Sequence, residues 1–327
     1  MLMRRTPSAL VVDAPAKLNL HFEVLARRAD GFHDVETVMV AIDLFDTLVF
    51  DQGEGECCDA DGGGIRFEAS WAVGLRAHSQ LHETEREREA AMGDLPQGSD
   101  NLVVQAVELL ARRSGKSLPH GTRIQLIKRI PAAAGLGGGS SDAAAALVAT
   151  NELLGLGWHR TQLSEVAAEL GSDVPFFLSS GAAICRGRGE QIEFLTGWPP
   201  LHFVVVRPPR GLETGAVYAG CMPPEKPVSP QPLLAALRLG DPFRVGRQLL
   251  NRLEESATRL MPAIGELKSQ MSQLSFPGQQ LTGSGSSYFA VCRNRAHARR
   301  AANQLRGCRL GHVFSAASIN TAPLCTP

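Results

Sequence analysis

Between Pro131 and Ala146 the chain reads PAAAGLGGGSSDAAAA. Gly135, Gly137, Gly138 and Gly139 leave this loop almost without side chains, so its backbone N–H groups can approach a ligand closely. The hydroxyls of Ser140 and Ser141 and the acid Asp142 come next, and then an alanine run of high helix propensity. A glycine loop that opens a helix gathers free N–H groups at the positive end of the helix dipole, which makes an anion site. The segment Pro131, Ala132, Ala133, Ala134, Gly135, Leu136, Gly137, Gly138, Gly139, Ser140 and Ser141 therefore reads as a cradle for a triphosphate. Ser140 or Ser141 could also help hold Mg²⁺ through its hydroxyl, the ion otherwise travelling with the nucleotide. Two better-known phosphate loops do not fit. A P-loop needs a lysine after the last glycine, and the sole Gly115-Lys116-Ser117 lacks the upstream glycine. A dinucleotide fingerprint needs glycine where Ser140 stands.

Transfer of a phosphoryl group also needs an oriented hydroxyl, a place for its proton and neutralised oxygens. Asp173 is the candidate base. Lys17 is the matching cation, paired with that carboxylate and facing the charge on the moving group. Read singly, each residue has a plainer account. Lysine in a Pro-Ala-Lys turn is a solvated charge, and an aspartate two residues before Pro175 is a helix N-cap. Asp142 reads as a first-turn acid that steadies its helix.

These residues must be held by strands and helices, and the pattern supplies both. Strands are expected at 8–13, 18–25, 35–42 and 43–52, near 65–69, and at 122–127, 182–185, 191–194, 202–207, 280–282, 288–291 and 312–315. Helices are expected from Asn101 to Arg113, from the glycine loop to about Leu154, and over 161–170 with Gly171 as a C-terminal stop. Others are expected just after Asp173 and at 232–238, 241–251, 260–272 and 295–306. Residues 52–98, with a glycine triplet and the charge run 83–89, read as a loop insertion. The order of elements favours α+β, with an N-terminal domain at 1–184 and a smaller C-terminal domain at 185–327.

Composition narrows the function classes. The 327 residues carry 33 Lys+Arg against 33 Asp+Glu, so no global field draws the protein to nucleic acid or an anionic membrane. No window nears the ~18 continuous apolar residues of a membrane span. Seven cysteines without CxxC spacing argue against a disulfide framework and for reduced thiols in a cytoplasm.

Three segments occur together: Pro15-Ala-Lys17-Leu-Asn19-Leu, the glycine loop, and Leu281-Thr282-Gly283-Ser284-Gly285-Ser286-Ser287. That set resembles the GHMP kinases, over nearly the whole chain outside 52–98. Arg27-Arg28-Ala-Asp30-Gly31-Phe32-His33 and Gly171-Ser172-Asp173-Val-Pro175-Phe-Phe177 resemble the branch that phosphorylates the C2 hydroxyl of a cytidyl diphosphate-linked methylerythritol. The resemblance implies a two-domain α+β kinase using ATP and Mg²⁺ on a small molecule, as a cytoplasmic monomer or weak homodimer. It assigns the same roles to Lys17 and Asp173. It implies that Phe32 and Tyr218 flank a cytosine that His33 hydrogen-bonds, with Phe32 where the family has tyrosine. Asn19, Thr282, Gly283 and Ser284 are implied at the substrate, and Asn101 near the adenine. Kinase action on homoserine or a sugar, and a non-catalytic ligand sensor, are the alternatives.

Overall fold

The computed structural model describes residues 1–52, 65–72, 95–179 and 181–319. An eight-stranded sheet is built on β1 (Leu2–Arg5), β2 (Ala9–Arg27), β3 (His33–Gln52), β4 (Arg66–Trp71) and β5 (Thr122–Lys128) in the order β1-β2-β3-β5-β4. The hairpin β6 (Ala182–Gly187) and β7 (Gln191–Leu195) joins it through β3. After β8 (His202–Arg207), the two-residue β9 (Leu250–Asn251) returns to pair parallel with β2. The second sheet has the order β10-β11-β8-β12, with β10 (Gly278–Leu281), β11 (Tyr288–Cys292) and β12 (His312–Ala317).

The strands expected at 8–13 and 18–25 are one strand. Register shifts at Pro15/Ala16, Asn19/His21 and Val24/Ala26 absorb the proline, which cannot donate to a ladder, and re-aim the side chains that follow. The strands expected at 35–42 and 43–52 are likewise one. Its first half pairs with β6 and its last six residues with β5. The boundary expected at 184/185 falls inside β6, and the first sheet runs on to Leu195. Of the expected insertion, residues 53–64 and 73–94 lie outside the described residues. The strand expected near 65–69 is β4, parallel to β5.

Helices α1 (Leu102–Ser114), α2 (Gly138–Leu153), α3 (Arg160–Leu170) and α4 (Val174–Phe177) share a core with the first sheet. Ala143 to Ala146 of α2 are all buried, so this helix is apolar on every side and lies between sheet and helices. The alternation of β8 separates two further cores. Phe203 and Val205 pack between the sheets with Leu18, Leu20, Val38 and Val40. Val204 and Val206 pack with Ala257, Ile264, Leu267 and Ala298 from the C-terminal helices.

Four local expectations change. The short helix α5 (Thr214–Ala219) was not anticipated. After α6 (Gln231–Leu239), the helix expected over 241–251 stops at α7 (Pro242–Arg247), where the chain turns into β9. The helix expected at 260–272 is α9 (Ala263–Ser272), and the helix before it, α8 (Glu254–Leu260), was not anticipated; Pro262, which has no N–H for a continuous helix, separates the two. Helix α10 (Arg295–Gly307) follows the expected bounds. Gly171 is extended (φ 165°) rather than left-handed.

Candidate active site

Lys17 comes from the middle of β2. Its ammonium is buried and donates to Asn19 Oδ1 at 2.6 Å. Asp173 Oδ2 lies 3.6 Å away on a carboxylate that is 37 % exposed, so this group has both a buried cation and an open face. Asp173 stands at the N-cap position of α4 but makes no side-chain cap hydrogen bond. The plainer N-cap account of this residue is thereby set aside.

Asn19 is buried and fully engaged. Its amide donates to Thr37 Oγ1 at 2.8 Å, and Thr37 in turn donates to the His21 carbonyl at 2.6 Å. The Asn19 backbone N–H donates to Thr282 Oγ1 at 3.1 Å. One polar chain therefore runs from β3 through Asn19 to the second glycine-rich turn.

The two glycine-rich segments meet backbone to backbone. Leu136 O accepts from Lys17 N at 2.9 Å, and Ala134 O accepts from Ser287 N at 3.2 Å. Gly135 is left-handed (φ 73°), and a Cβ there would stand 2.2 Å from Thr282 O. At Gly137 (φ 71°) a Cβ would meet the Phe177 ring at 2.8 Å and Lys17 Cγ at 3.0 Å. At Gly283 it would come within 3.1 Å of Lys17 Nζ. The glycines are thus required by close packing around the Lys17 side chain as well as by ligand approach. Gly137 caps α2, whose first residues are Gly138, Gly139, Ser140 and Ser141.

The remaining expected residues fall into two groups. His33 and Tyr218 face each other with ring centroids 5.1 Å apart and planes at 33°. Burial, and then Arg27, lowers the His33 pKa below its ordinary value, while burial and then Asp173 raises that of Tyr218. Phe32 is 49 % exposed and carries the Arg188 guanidinium 3.7 Å from its ring centroid. Ser284 Oγ and Thr214 Oγ1 lie 2.9 Å apart, which ties the second turn to the helix bearing Tyr218. Asn101 uses its amide as a cap. Its Oδ1 accepts from Val103 N at 2.9 Å and its Nδ2 donates to Pro96 O at 2.8 Å. The adjacent Leu102 reaches Gly139, so α1 begins beside the loop. Pro131 is buried, Ala132 O accepts from Arg207 at 3.4 Å, and Ala133 is left-handed (φ 48°).

Sequence reasoning missed Thr37, Asn251 and Arg207. Asn251 Nδ2 donates to Leu281 O and Gly283 O at 2.9 and 2.8 Å, fixing the second turn. Thr37 carried a readable signal as a polar residue within the apolar strand Val35–Ile42. Asn251 and Arg207 carried none, because the bonds that tie them to the glycine-rich segments, to Leu281 and Gly283 and to Ala132, span distant parts of the chain.

The family models for the GHMP kinases N terminal domain and the GHMP kinases C terminal match residues 101–181 and 233–308. The fold and site therefore define a GHMP kinase. A 4-diphosphocytidyl-2-C-methyl-D-erythritol kinase of Pelotomaculum thermopropionicum is 39% identical over 90% of this chain and 92% of its own. One of Shouchella clausii is 35% identical over 96% of each chain. A crystal structure of 4-(cytidine 5'-diphospho)-2C-methyl-D-erythritol kinase superposes with a TM-score of 0.72 at 33% identity, covering 94% of this chain and 98% of that one. A homoserine kinase from Cytophaga hutchinsonii, at 18% identity and a TM-score of 0.67, shares the fold. The chain belongs to the 4-diphosphocytidyl-2-C-methyl-D-erythritol kinase family and is an ATP-dependent small-molecule kinase. Among the described residues, no helix is long and apolar enough to cross a membrane.

Proposed function

We propose that the protein transfers the γ-phosphoryl group of ATP directly to the C2 hydroxyl of 4-diphosphocytidyl-2-C-methyl-D-erythritol. The observation that carries this reading is the Lys17–Asp173 pair, 3.6 Å apart beside the two glycine-rich turns. Asp173 takes the hydroxyl proton on its exposed side. Lys17, pinned by Asn19, orients that carboxylate and faces the charge on the moving group. The N–H groups of Gly137–Ser141 hold the phosphates at the start of α2. His33 and Tyr218 supply a polar edge and a ring for the cytosine, with Phe32 beside them. Thr282, Gly283 and Ser284 border the junction of the two substrates.

Mg²⁺ fits this site as an ion brought on the nucleotide phosphates. Ser141 Oγ is buried without a hydrogen-bond partner, Ser140 beside it is half-buried, and among the described residues no three acidic, His or Cys side chains converge into a metal cage. Bound there, the ion would neutralise phosphate oxygens. The balanced charge of the chain supports a small molecule as partner rather than nucleic acid or membrane, in a cytoplasmic monomer or weak homodimer.

The test is ADP release from MgATP with the cytidyl substrate, run beside the same alcohol lacking the cytidyl diphosphate, homoserine and galactose. Turnover with the cytidyl substrate alone is expected. Turnover with another alcohol would keep the Lys17–Asp173 chemistry and overturn the cytosine pocket. No turnover with any, in folded protein that binds ATP, would favour a ligand sensor.

A further inference from the structure

Beneath the glycine loop lies a buried charged cluster that the reading above does not use. Lys128, at the end of β5, donates to Asp46 Oδ2 on β3 at 2.5 Å and to Asp142 Oδ2 on α2 at 2.6 Å. All three side chains are at least 95 % buried. Asp46 Oδ1 also accepts from the backbone N–H groups of Arg129 and of Ile130, the latter at 2.9 Å. Pro131 follows directly. Thus the stem entering the loop is held by Asp46, the stem leaving it by Asp142, and one ammonium joins the two.

The same ammonium lies 3.1 Å from where a Cβ of Gly138 would stand, with Ile130 Cγ2 at 3.0 Å. Gly138 has no left-handed backbone to explain its identity. Its need for glycine comes from this approach, which places the cluster directly against the first turn of α2. Asp142 is therefore not the first-turn acid steadying its helix that its position after the serines suggests. It faces inward, past the first turn, to the lysine.

We propose that Asp46, Lys128 and Asp142 form a positioning cluster that sets both stems of the phosphate loop, and through them the geometry in which ATP is bound. The cluster stands behind the loop and touches neither substrate in this reading. A ring of three charges is a poor way to gain stability, because desolvation offsets the attraction, and apolar replacements of similar size commonly do as well. Its return is directional: an ammonium between two carboxylates fixes three elements at hydrogen-bond distance. Burial raises the pKa of the Asp142 acid, against the pull of Lys128 and with Asp46 adding to the rise.

This inference rests on the kinase reading, and wild-type turnover measured alongside separates failure of one from failure of the other. The variants are Lys128→Met and the triple replacement Asp46→Asn/Lys128→Met/Asp142→Leu, each assayed for thermal midpoint, kcat and the two KM values. Lys128→Met should raise KM for ATP by about tenfold or more, as expected for a misplaced binding loop, with KM for the cytidyl substrate within about twofold. The triple variant separates positioning from stability, because it removes all three buried charges while the amide oxygen introduced at position 46 can still accept from the N–H groups of Arg129 and Ile130. A wild-type midpoint with KM for ATP still raised supports the cluster as a positioning device. A wild-type KM for ATP in the triple variant, or equal loss in both KM values, overturns it. Should Lys128→Met fail to fold, the triple variant alone decides.

Discussion

Asn19 Oδ1 holds Lys17 Nζ at 2.6 Å, a full ångström closer than the Asp173 carboxylate lies to the same ammonium. The asparagine anchors the lysine, and the aspartate is left with room to meet a substrate. Replacing Asn19 with alanine removes that anchor and the bond to Thr37. Turnover should fall by about tenfold to a hundredfold, in line with a small misplacement of a reacting group. Loss of a buried hydrogen-bonding amide should also lower stability by about 1–3 kcal/mol. Steady-state kinetics and denaturant melts on one preparation check both.

Asp173→Asn keeps the shape of the site and removes the proton acceptor. ATP should still bind, and kcat should fall by about 10²–10⁴, the usual worth of general-base catalysis. Calorimetric titration with a non-hydrolysable ATP analogue, beside single-turnover chemistry, measures the two separately. Near-normal turnover would take the base role from Asp173.

Two glycines with similar backbones should respond differently to alanine. Gly115, at the end of α1, is left-handed with nothing within 4 Å of its missing Cβ, so alanine costs about 1–2 kcal/mol of strain and leaves ATP binding alone. Gly135 has the same strain and also a Cβ site 2.2 Å from Thr282 O. Gly135→Ala must push the two glycine-rich turns apart, so it should weaken ATP binding as well as stability. Equal behaviour of the two variants in nucleotide titration would contradict the packing argument.

His33 is held in its neutral form, since burial and then Arg27 lower its pKa. A neutral ring can accept as well as donate. KM for the cytidyl substrate should therefore be flat across neutral and mildly alkaline pH. It should rise only on acidification below the ordinary imidazole value of about 6.5. An inflection at or above that value, absent from the profile of KM for ATP, would remove the neutral imidazole from the cytosine contact.

The site was legible in sequence where a local pattern marks it. Four glycines before an alanine run specify a loop and a buried helix with little help from the rest of the chain. The Lys17–Asp173 pair was read from the residue types the chemistry needs and from resemblance, not from spacing, because β2 and α4 are brought together by folding. Strand continuity was misread at Pro15, where a bulge that sequence does not announce lets the strand pass through. Asn101 shows the converse. It was implied near the adenine, and in the structure its amide is spent on capping α1. Lys128 and Asp142 flank the loop with opposite charges, but nothing in the sequence says that they turn inward to one another.

The tiny strand β9 has a consequence for how the molecule comes apart. Leu250–Asn251 belongs by position to the C-terminal half, yet it pairs with His21 and Phe22 of β2, and Ile319 N bonds Ala41 O on β3. The last third of the chain thus completes the edge of a sheet begun by the first residues. A separately expressed N-terminal fragment should therefore present an unpaired, aggregation-prone edge where β9 pairs with β2. Chemical denaturation of the whole chain should accordingly follow one cooperative transition, with the nucleotide half and the substrate half melting together.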